Sequence, residues 1–519
     1  MRKRIILGIT ILLIAGFLAP AETGQKEISL KDAIFSALKN NLDLQVQMTD
    51  AEMADKTLKI NKAIFIPTFE VMGQTLERNT PSQGALSGGD VIKQNRQALT
   101  LTLSQQLPIG GIITFELENE KTQSTSKWAN PDPLLGSTAT LTLNQPLLKN
   151  FGLTPTKRQI YIARNNQSIA RHQLRENIIN LVYNVEEAYW NLVHAHQNLQ
   201  ATKMALKRAQ DLLKQNEIKV RVGSAAPIEI LTAKAEVARN DSLLIQAERT
   251  IQTADENLKK ILNMSKENYE LIPSDTPQVK KIDVDFDEFL LEGLNNRPDV
   301  ERAKLDLANQ KIGVKFAKNQ MLPELGLVAS YFTTGQGGEL YGYLKDPLDQ
   351  DFNRAEHTYL LDTKGIWASM EDVFKNLYKN YTITLNLKIP FSFSKEKAEL
   401  AQAKINLRKS LLGLKNVENT VYSEVKEVIK ELEANAKLME ADKIALELEG
   451  QKLRAEERRL AVGLTTNIIV LDFQRQYAEA ETRALRSVID YNLTLAKINK
   501  ILARTFGVYD IKFEEFLNK

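Results

Sequence analysis

The 519-residue sequence contains no cysteine. Because no disulfide can form, an exported protein of this kind must be held together by packing or by oligomerisation. The absence also excludes a lipid anchor on an N-terminal cysteine. Beyond residue 21 there is no run of about 18 uncharged apolar residues, so we expect no transmembrane helix. Any role in a membrane would have to be carried by strands.

The start of the chain predicts a secretory signal peptide. Basic residues Arg2–Arg4 precede an apolar run, Ile5–Leu18, and a small-residue cleavage site ending at Ala21. The run is shorter than the ~20 residues of a spanning helix, so we favour cleavage over a membrane anchor. The three basic residues account for the whole excess of 68 basic over 65 acidic residues. The mature chain is formally neutral and lacks the charge typical of nucleic-acid binding.

Enzyme signatures are absent as well. The sequence has neither a phosphate-binding G-x-x-x-x-G-K-[ST] loop nor a G-x-S-x-G nucleophile elbow. Two of its four histidines, His194 and His196, are two residues apart on a predicted helix and therefore do not share a face. We expect no catalytic residue, no cofactor and no metal site.

The two halves of the chain repeat the same motifs in the same order, which indicates an internal duplication. The paired stretches are ALKNNLDLQV (37–46) with GLNNRPDVER (293–302), FIPTFEV (65–71) with MLPELGLV (321–328), LTLNQPLL (141–148) with LNLKIPF (385–391), and Val222-Gly223 with Val462-Gly463. We therefore divide the chain into a signal peptide (1–21), a first repeat (22–275), a second repeat (276–508) and a C-terminal tail (509–519).

Each repeat contains a pair of long predicted helices separated by a Val-Gly break. Apolar residues recur at spacings of three and four from Ile178 to Leu199, and every seventh residue from Val425 to Leu460 is apolar. Such heptads predict coiled-coil packing. The predicted helices cover about Lys157–Val220, Ile228–Asn263, Lys395–Ala461 and Asn467–Thr505, with tip turns near 222–227 and 462–467. At ~1.5 Å per residue the longer ones span about 95 Å. Heptads alone would also fit a soluble periplasmic coiled-coil scaffold.

Four other stretches alternate apolar with small polar residues and predict two-faced strands. They are Ala98–Pro108, Thr138–Leu148, Leu325–Phe332 and Tyr381–Phe391. Their length of about 8–11 residues suits a tilted strand across an outer membrane, with the polar face toward water. Four prolines, each predicted to mark a switch between strand and helix, are Pro67, Pro146, Pro323 and Pro390.

The strand count argues for an oligomer. About four strands per chain cannot close a barrel, and an open edge cannot lie in lipid. Two chains would give eight strands, which fill their own interior, whereas three give twelve and leave an aqueous lumen. The stretch Gln106–Glu120 predicts a further turn and strand, which either joins the barrel or folds outside it.

Together these features resemble the TolC-type outer-membrane efflux proteins. The resemblance rests on the signal peptide, ISLKDAIFSALKNN (28–41), the strand ends NQPLL and LKIPF, the following KAELAQAKINL, and the Val-Gly breaks, and it covers about residues 28–507. It implies an α+β membrane protein, a homotrimer whose barrel of about twelve strands crosses the outer membrane, surrounded by lipid, and continues into a periplasmic α-helical coiled-coil barrel. Such a protein is a passive channel for drugs, other toxic compounds or proteins.

The resemblance also implies partners and a tip. The partners are a periplasmic membrane-fusion adaptor and, indirectly, an inner-membrane transporter of the RND, ABC or MFS type. By position, the adaptor-docking turns contain Val222, Gly223, Ser224, Val462, Gly463 and Leu464. Members of the family often carry two acidic residues after the second glycine that narrow the closed tip. Here Asp472 matches one, Ile469 replaces the other, and Glu229 in the first tip is a further candidate gate acid.

Overall fold

The computed structural model describes residues 24–81, 91–277, 279, 282, 284–349 and 351–517. The predicted signal peptide, residues 1–21, lies outside the described residues. The described chain divides into two compact units. The first, a helical unit, contains residues 24–49, 173–298 and 418–517, and the second contains residues 50–172 and 299–417. Each unit takes segments from both halves of the predicted duplication.

Most of the described residues are helical. In chain order the α-helices are α1 (Leu30–Asn40), α2 (Leu42–Lys62), α3 (Leu153–Thr156), α4 (Arg158–Arg221), α5 (Ile228–Ile261), α6 (Phe286–Asn296), α7 (Pro298–Gln320), α8 (Arg354–His357), α9 (Ile366–Phe374), α10 (Ser394–Ala461), α11 (Asn467–Ile501) and α12 (Thr505–Val508). The four long helices predicted from the apolar spacing are confirmed as α4, α5, α10 and α11, with ends that agree to within a few residues. Two 3-10 helices, Ala63–Phe65 and Phe513–Phe516, complete the helical segments of the described chain.

Corresponding motifs of the two halves fold alike where they start. Ser29 caps α1 and Asp285 caps α6. The side chain of each accepts a hydrogen bond from a backbone amide in the first turn of its helix. This satisfies donors that the helix itself leaves free. Asn41 then separates α1 from α2, and Arg297 separates α6 from α7, both with extended backbone. The stretches ALKNNLDLQV and GLNNRPDVER therefore form the same helix–break–helix geometry.

The core of the helical unit is apolar and is built mainly from buried residues of α1, α4, α5 and α11. The predicted heptad residues Ile178, Val185 and Leu192 are fully buried. Other large side chains that are fully buried in this unit are Ile34, Leu174, Tyr189, Leu258, Leu262, Leu271, Ile489, Ile498 and Leu502. Removing this much apolar surface from water is the main force that holds the helices together.

The strands are, in chain order, β1 (Gln25–Ile28), β2 (Thr68–Pro81), β3 (Val91–Gln106), β4 (Ile112–Ser124), β5 (Leu134–Pro146), β6 (Glu270–Pro273), β7 (Glu324–Tyr343), β8 (Thr358–Lys364) and β9 (Tyr378–Lys388). β1 and β6 form a small parallel pair in the helical unit. The other seven form one antiparallel sheet in the second unit, in the order β2-β3-β4-β5-β7, with β8 and β9 pairing with different stretches of β7.

The predicted count of about four strands per chain is too low. The sheet contains six long strands, β2, β3, β4, β5, β7 and β9, besides the short β8. The four predicted strands did not include β2, whose C-terminal half carries polar residues on both faces. The prediction also left open whether β4 joins the barrel. β4, from the stretch Gln106–Glu120, lies inside the sheet between β3 and β5. The strands are also longer than predicted, from 11 to 20 residues.

Over the half of the sheet nearest Pro67 and Pro146, one face is largely apolar and the other is largely polar. Residues directly opposite each other on neighbouring strands share a face. One row of such residues crosses all six long strands and is entirely apolar or aromatic: Phe69, Leu103, Phe115, Leu141, Tyr331 and Tyr381. The next row, on the opposite face, carries only hydroxyl side chains: Thr68, Ser104, Thr114, Thr142, Ser330 and Thr382.

Candidate functional site

Both Val-Gly breaks are tight turns that end a long helix in the same way. At the first, the Gly223 amide donates to the Val220 carbonyl (3.0 Å) and the Ser224 amide donates to the Lys219 carbonyl (2.8 Å). Gly223 has a φ of +79°. This pair of bonds with a left-handed residue is the Schellman motif, which satisfies carbonyls that a helix end leaves free.

The second turn repeats this geometry. The Gly463 amide donates to the Leu460 carbonyl (3.2 Å), the Leu464 amide donates to the Arg459 carbonyl (2.9 Å), and Gly463 has a φ of +76°. A Cβ added at either glycine would meet open space. The need for glycine is therefore one of backbone conformation and not of room, because side-chain-bearing residues rarely adopt positive φ.

The side chains around the two turns form an apolar surface. Val222 is 70% exposed, and Val462 and Leu464 are each 69% exposed. The first residues of the following helices add three more exposed apolar side chains: Ile228, Leu231 and Ile468. We call these six residues the tip surface. Ser224 differs from them because its hydroxyl donates to the Lys219 carbonyl (3.0 Å).

Glu229 connects the two turns. Its carboxylate accepts a hydrogen bond from the Asn467 side chain (3.0 Å), at the start of α11. Its backbone carbonyl accepts one from the buried Asn216 side chain of α4 (3.4 Å). Asn467 is buried as well. The acid that the sequence offered as a gate candidate therefore also joins the first turn to the second.

Asp472 is held by side chains of its own helix. It forms an ion pair with Arg475 and accepts a hydrogen bond from the Gln476 amide (2.6 Å). Both partners of the ion pair are more than a third exposed, so the pair adds little stability. Ile469, which replaces the second acid, is exposed. Within one chain the charge of Asp472 is thus locally balanced.

The four prolines lie at the ends of strands. Pro67 directly precedes β2 and Pro323 directly precedes β7, whereas Pro146 is the last residue of β5 and Pro390 follows β9 by two residues. Proline lacks an amide hydrogen and so cannot continue the strand ladder at these points.

Sequence reasoning missed a buried polar cluster in the helical unit. Glu186 of α4 is 5% exposed and accepts a hydrogen bond from the Tyr509 hydroxyl. Burial raises the pKa of Glu186 to about 7, against the opposing effect of that hydrogen bond. One turn further, the Tyr189 hydroxyl donates to the Asp275 carboxylate (2.7 Å), and its pKa is raised by burial. Tyr189 thus links α4 to the segments at the ends of β1 and β6, and Glu186 links α4 to the C-terminal segment.

The described residues can also be examined for a metal site and for a membrane-spanning helix. Among the residues that the structure describes, no group of three or more His, Cys, Asp or Glu side chains could hold a metal ion. His194 is half-buried, and burial lowers its pKa. None of the described helices combines the length and the apolar character needed to cross a membrane.

Comparison with known proteins identifies the class of protein. A family model described as outer membrane efflux protein matches residues 123–264 and 291–504, more than half of the chain. The chain therefore belongs to the outer membrane efflux protein family, whose members lie in the outer membrane. This membership supports an efflux channel and not the soluble scaffold that the heptads alone would also have fitted.

Individual relatives are distant but similar over most of their length. The chain is 21% identical over 474 residues to the probable efflux pump outer membrane protein TtgC of Pseudomonas putida, covering 89% of this chain and 81% of that protein. The antibiotic efflux pump outer membrane protein ArpC of the same species shows the same identity and coverage. The fold is similar to that of the CmeC outer membrane channel of Campylobacter jejuni, with a TM-score of 0.64, 15% identity, and coverage of 93% of this chain and 89% of that chain.

Proposed function

We propose that the protein is the passive outer-membrane channel of an efflux system and that three copies close their sheets into one β-barrel. The observation that carries the proposal is the two-faced sheet with two open ends. β2 and β9 each pair with one neighbour only within the described chain. Their unpaired backbone groups could not remain free in lipid. Pairing of β9 in one copy with β2 in the next would satisfy both edges and close the wall.

In this proposal the apolar face of the sheet meets lipid and the hydroxyl face lines an aqueous lumen. Aromatic and aliphatic residues facing lipid and small polar residues facing water are typical of outer-membrane barrels. The long helices would form the periplasmic part of the duct. The relatives named for antibiotic and toluene efflux favour small organic compounds as cargo over proteins.

The tip surface is proposed to dock a periplasmic adaptor, which links the channel to an inner-membrane transporter. Exposed valine, isoleucine and leucine side chains at two adjacent turns offer apolar area that water disfavours. The Gly223 and Gly463 turns hold this surface in one conformation. Glu229 and Asp472 would act as gate acids of the closed tip, Glu229 through its bond to Asn467.

Assembly can be tested on protein extracted from the outer membrane with detergent. Because the chain has no cysteine, chemical crosslinking of lysines and native mass spectrometry can be interpreted without disulfide artefacts. We expect a trimer that requires detergent and that conducts ions in planar bilayers. A monomer that stays soluble without detergent would contradict the proposal.

Docking can be tested with a charge placed on the tip surface. Leu464→Asp should prevent co-purification of the channel with its adaptor and abolish efflux, because a carboxylate cannot be buried there without a partner. Ile444→Asp is the matched control, since Ile444 is an exposed apolar residue of α10 away from the turns. Equal adaptor recovery with both variants would refute the assignment of the tip surface.

A further inference from the structure

The hairpin formed by β3 and β4 has no counterpart among the described residues of the second half of the chain. The motif at Pro67 leads into β2, and the corresponding motif at Pro323 leads into β7. The motif at Pro146 lies at the end of β5, and the corresponding motif at Pro390 follows β9. Between these points the first half inserts two long strands. In the second half the same place holds the short β8 and the helix α9.

The hairpin has the same two faces as the rest of the sheet. Leu103 and Phe115 continue the apolar row from Phe69 of β2 to Leu141 of β5. On the opposite face, Ser104 and Thr114 continue the hydroxyl row, and their side-chain oxygens lie 3.2 Å apart. A hairpin that folded outside the wall would have no reason to keep both patterns in register with its neighbours.

The turn of the hairpin is fixed to the segment that leads into α4. The Gly152 amide donates to the Ile109 carbonyl (2.9 Å), and the Gln145 side chain donates to the same oxygen (3.3 Å). Gly110 has a φ of +97°, and a Cβ there would lie 2.5 Å from the Asn150 carbonyl oxygen. These contacts place the turn of the hairpin at the end of β5 that carries Pro146.

We propose that β3 and β4 are part of the barrel wall, so that three copies close a barrel of eighteen long strands instead of twelve. This inference rests on the trimeric channel proposed above. With strands ~4.8 Å apart and tilted by about 40°, each strand occupies roughly 6.3 Å of the circumference. The backbone diameter then rises from about 24 Å for twelve strands to about 36 Å for eighteen. The outer-membrane segment would therefore admit bulkier solutes than a twelve-stranded barrel.

Cysteine pairs can test the strand order, since the background contains no cysteine. Phe69→Cys with Leu103→Cys joins β2 to β3, and Phe115→Cys with Leu141→Cys joins β4 to β5; both pairs lie directly opposite each other. Both should form disulfides within one chain in outer-membrane preparations. Phe69→Cys with Leu141→Cys is the control. These residues are three strand spacings apart, about 14 Å, whereas a disulfide needs Cα atoms within about 7 Å.

A disulfide between positions 69 and 141 within one chain, with the other two pairs remaining reduced, would overturn the inference, because it would show β2 pairing directly with β5. Electron microscopy of the detergent-extracted trimer gives an independent measurement. A barrel about 36 Å wide is expected, and a trimer with a barrel of about 24 Å would refute the hairpin's place in the wall while leaving the proposed channel intact. An assembly that is not trimeric would instead refute the proposed function, and the count of eighteen with it.

Discussion

Replacing Glu186 with glutamine should stabilise the helical unit at high pH and leave it unchanged at low pH. The Glu186 carboxyl is buried and its pKa is raised to about 7. The folded protein therefore holds this proton at pH values where the unfolded chain has already released it. The free energy of unfolding must fall as the pH rises through that window, because the folded state binds more protons.

The size of the effect follows from the two pKa values. An unfolded glutamate has a pKa of about 4.3, and each unit of difference corresponds to about 1.4 kcal/mol. A folded pKa of about 7 then implies a loss of about 3 to 4 kcal/mol between pH 4 and pH 8.5. Glutamine keeps an oxygen that can accept the Tyr509 hydrogen bond but never carries the charge, so this loss should disappear.

Thermal unfolding of the detergent-extracted protein, followed by helical circular dichroism, is a suitable assay. Glu186→Gln should raise the melting temperature by roughly 5–8 °C at pH 8.5 and by little at pH 4. Glu187→Gln is the matched control. It removes the same charge from the next residue of α4, whose side chain is exposed, and should change the melting temperature little at either pH.

The reasoning would be wrong if Glu186→Gln shifted the melting temperature equally at both pH values. A uniform shift would mean that packing or the Tyr509 hydrogen bond, and not the buried charge, controls stability. It would also be wrong if the variant were less stable than the wild type at pH 8.5, since the charge would then be favourable in the folded state.

Three further predictions concern the tip. Gly463→Val should destabilise the turn by about 1–2 kcal/mol and reduce efflux measured in cells. Gly413→Val is the control, because Gly413 is a helical glycine that also faces open space, and it should leave efflux intact. Equal efflux in both variants would contradict a need for positive φ at Gly463. Asp472→Ala should raise the leak conductance in bilayers and free Arg475, and an unchanged conductance would make Asp472 a surface acid. Glu229→Ala should raise the leak because the hydrogen bond from Asn467 is lost, whereas Glu229→Gln should preserve it; equal leaks in both would exclude this bond as a latch.

The helical part of the fold was readable from the sequence because its contacts are local. Heptads fix which side of α4 or α10 is buried, and a glycine between two such helices marks a turn. The residues with which each turn interacts could not be predicted from the sequence. The hydrogen bond from Asn467 to Glu229 joins residues that are 238 positions apart in the sequence. No sequence pattern around either residue predicts this hydrogen bond.

The sheet was harder to predict because strand order is non-local. Period-two alternation showed that β3 and β5 have two faces, but alternation cannot tell whether β4 inserts between them or folds away. β2 was overlooked because Glu77 and Arg78 put charges on both of its faces. The sequence also does not reveal that β5 pairs with β7, because the whole of α4 and α5 lies between these two strands in the chain.

Glu186 was missed although the sequence carried a signal. It falls at a spacing of three and four in a second buried stripe of α4, made of Ile179, Val182, Tyr189 and Val193. A single acidic residue in an otherwise apolar stripe predicts either that a hydrogen-bonding partner is buried with it or that water reaches it. Only the structure shows the partner, Tyr509, which comes from the far end of the chain.

The open ends of the sheet have a consequence for how the protein is made. Helical hairpins close early because their contacts are local, whereas in the proposed trimer β2 and β9 would find their final partners only on other copies. In the proposed trimer, barrel closure is therefore a concentration-dependent step that follows folding of the helices. Until then each copy exposes two long strand edges, which are sites of aggregation. The slowest step of biogenesis should then be the meeting of copies, and its rate should rise steeply with the amount of protein that is exported.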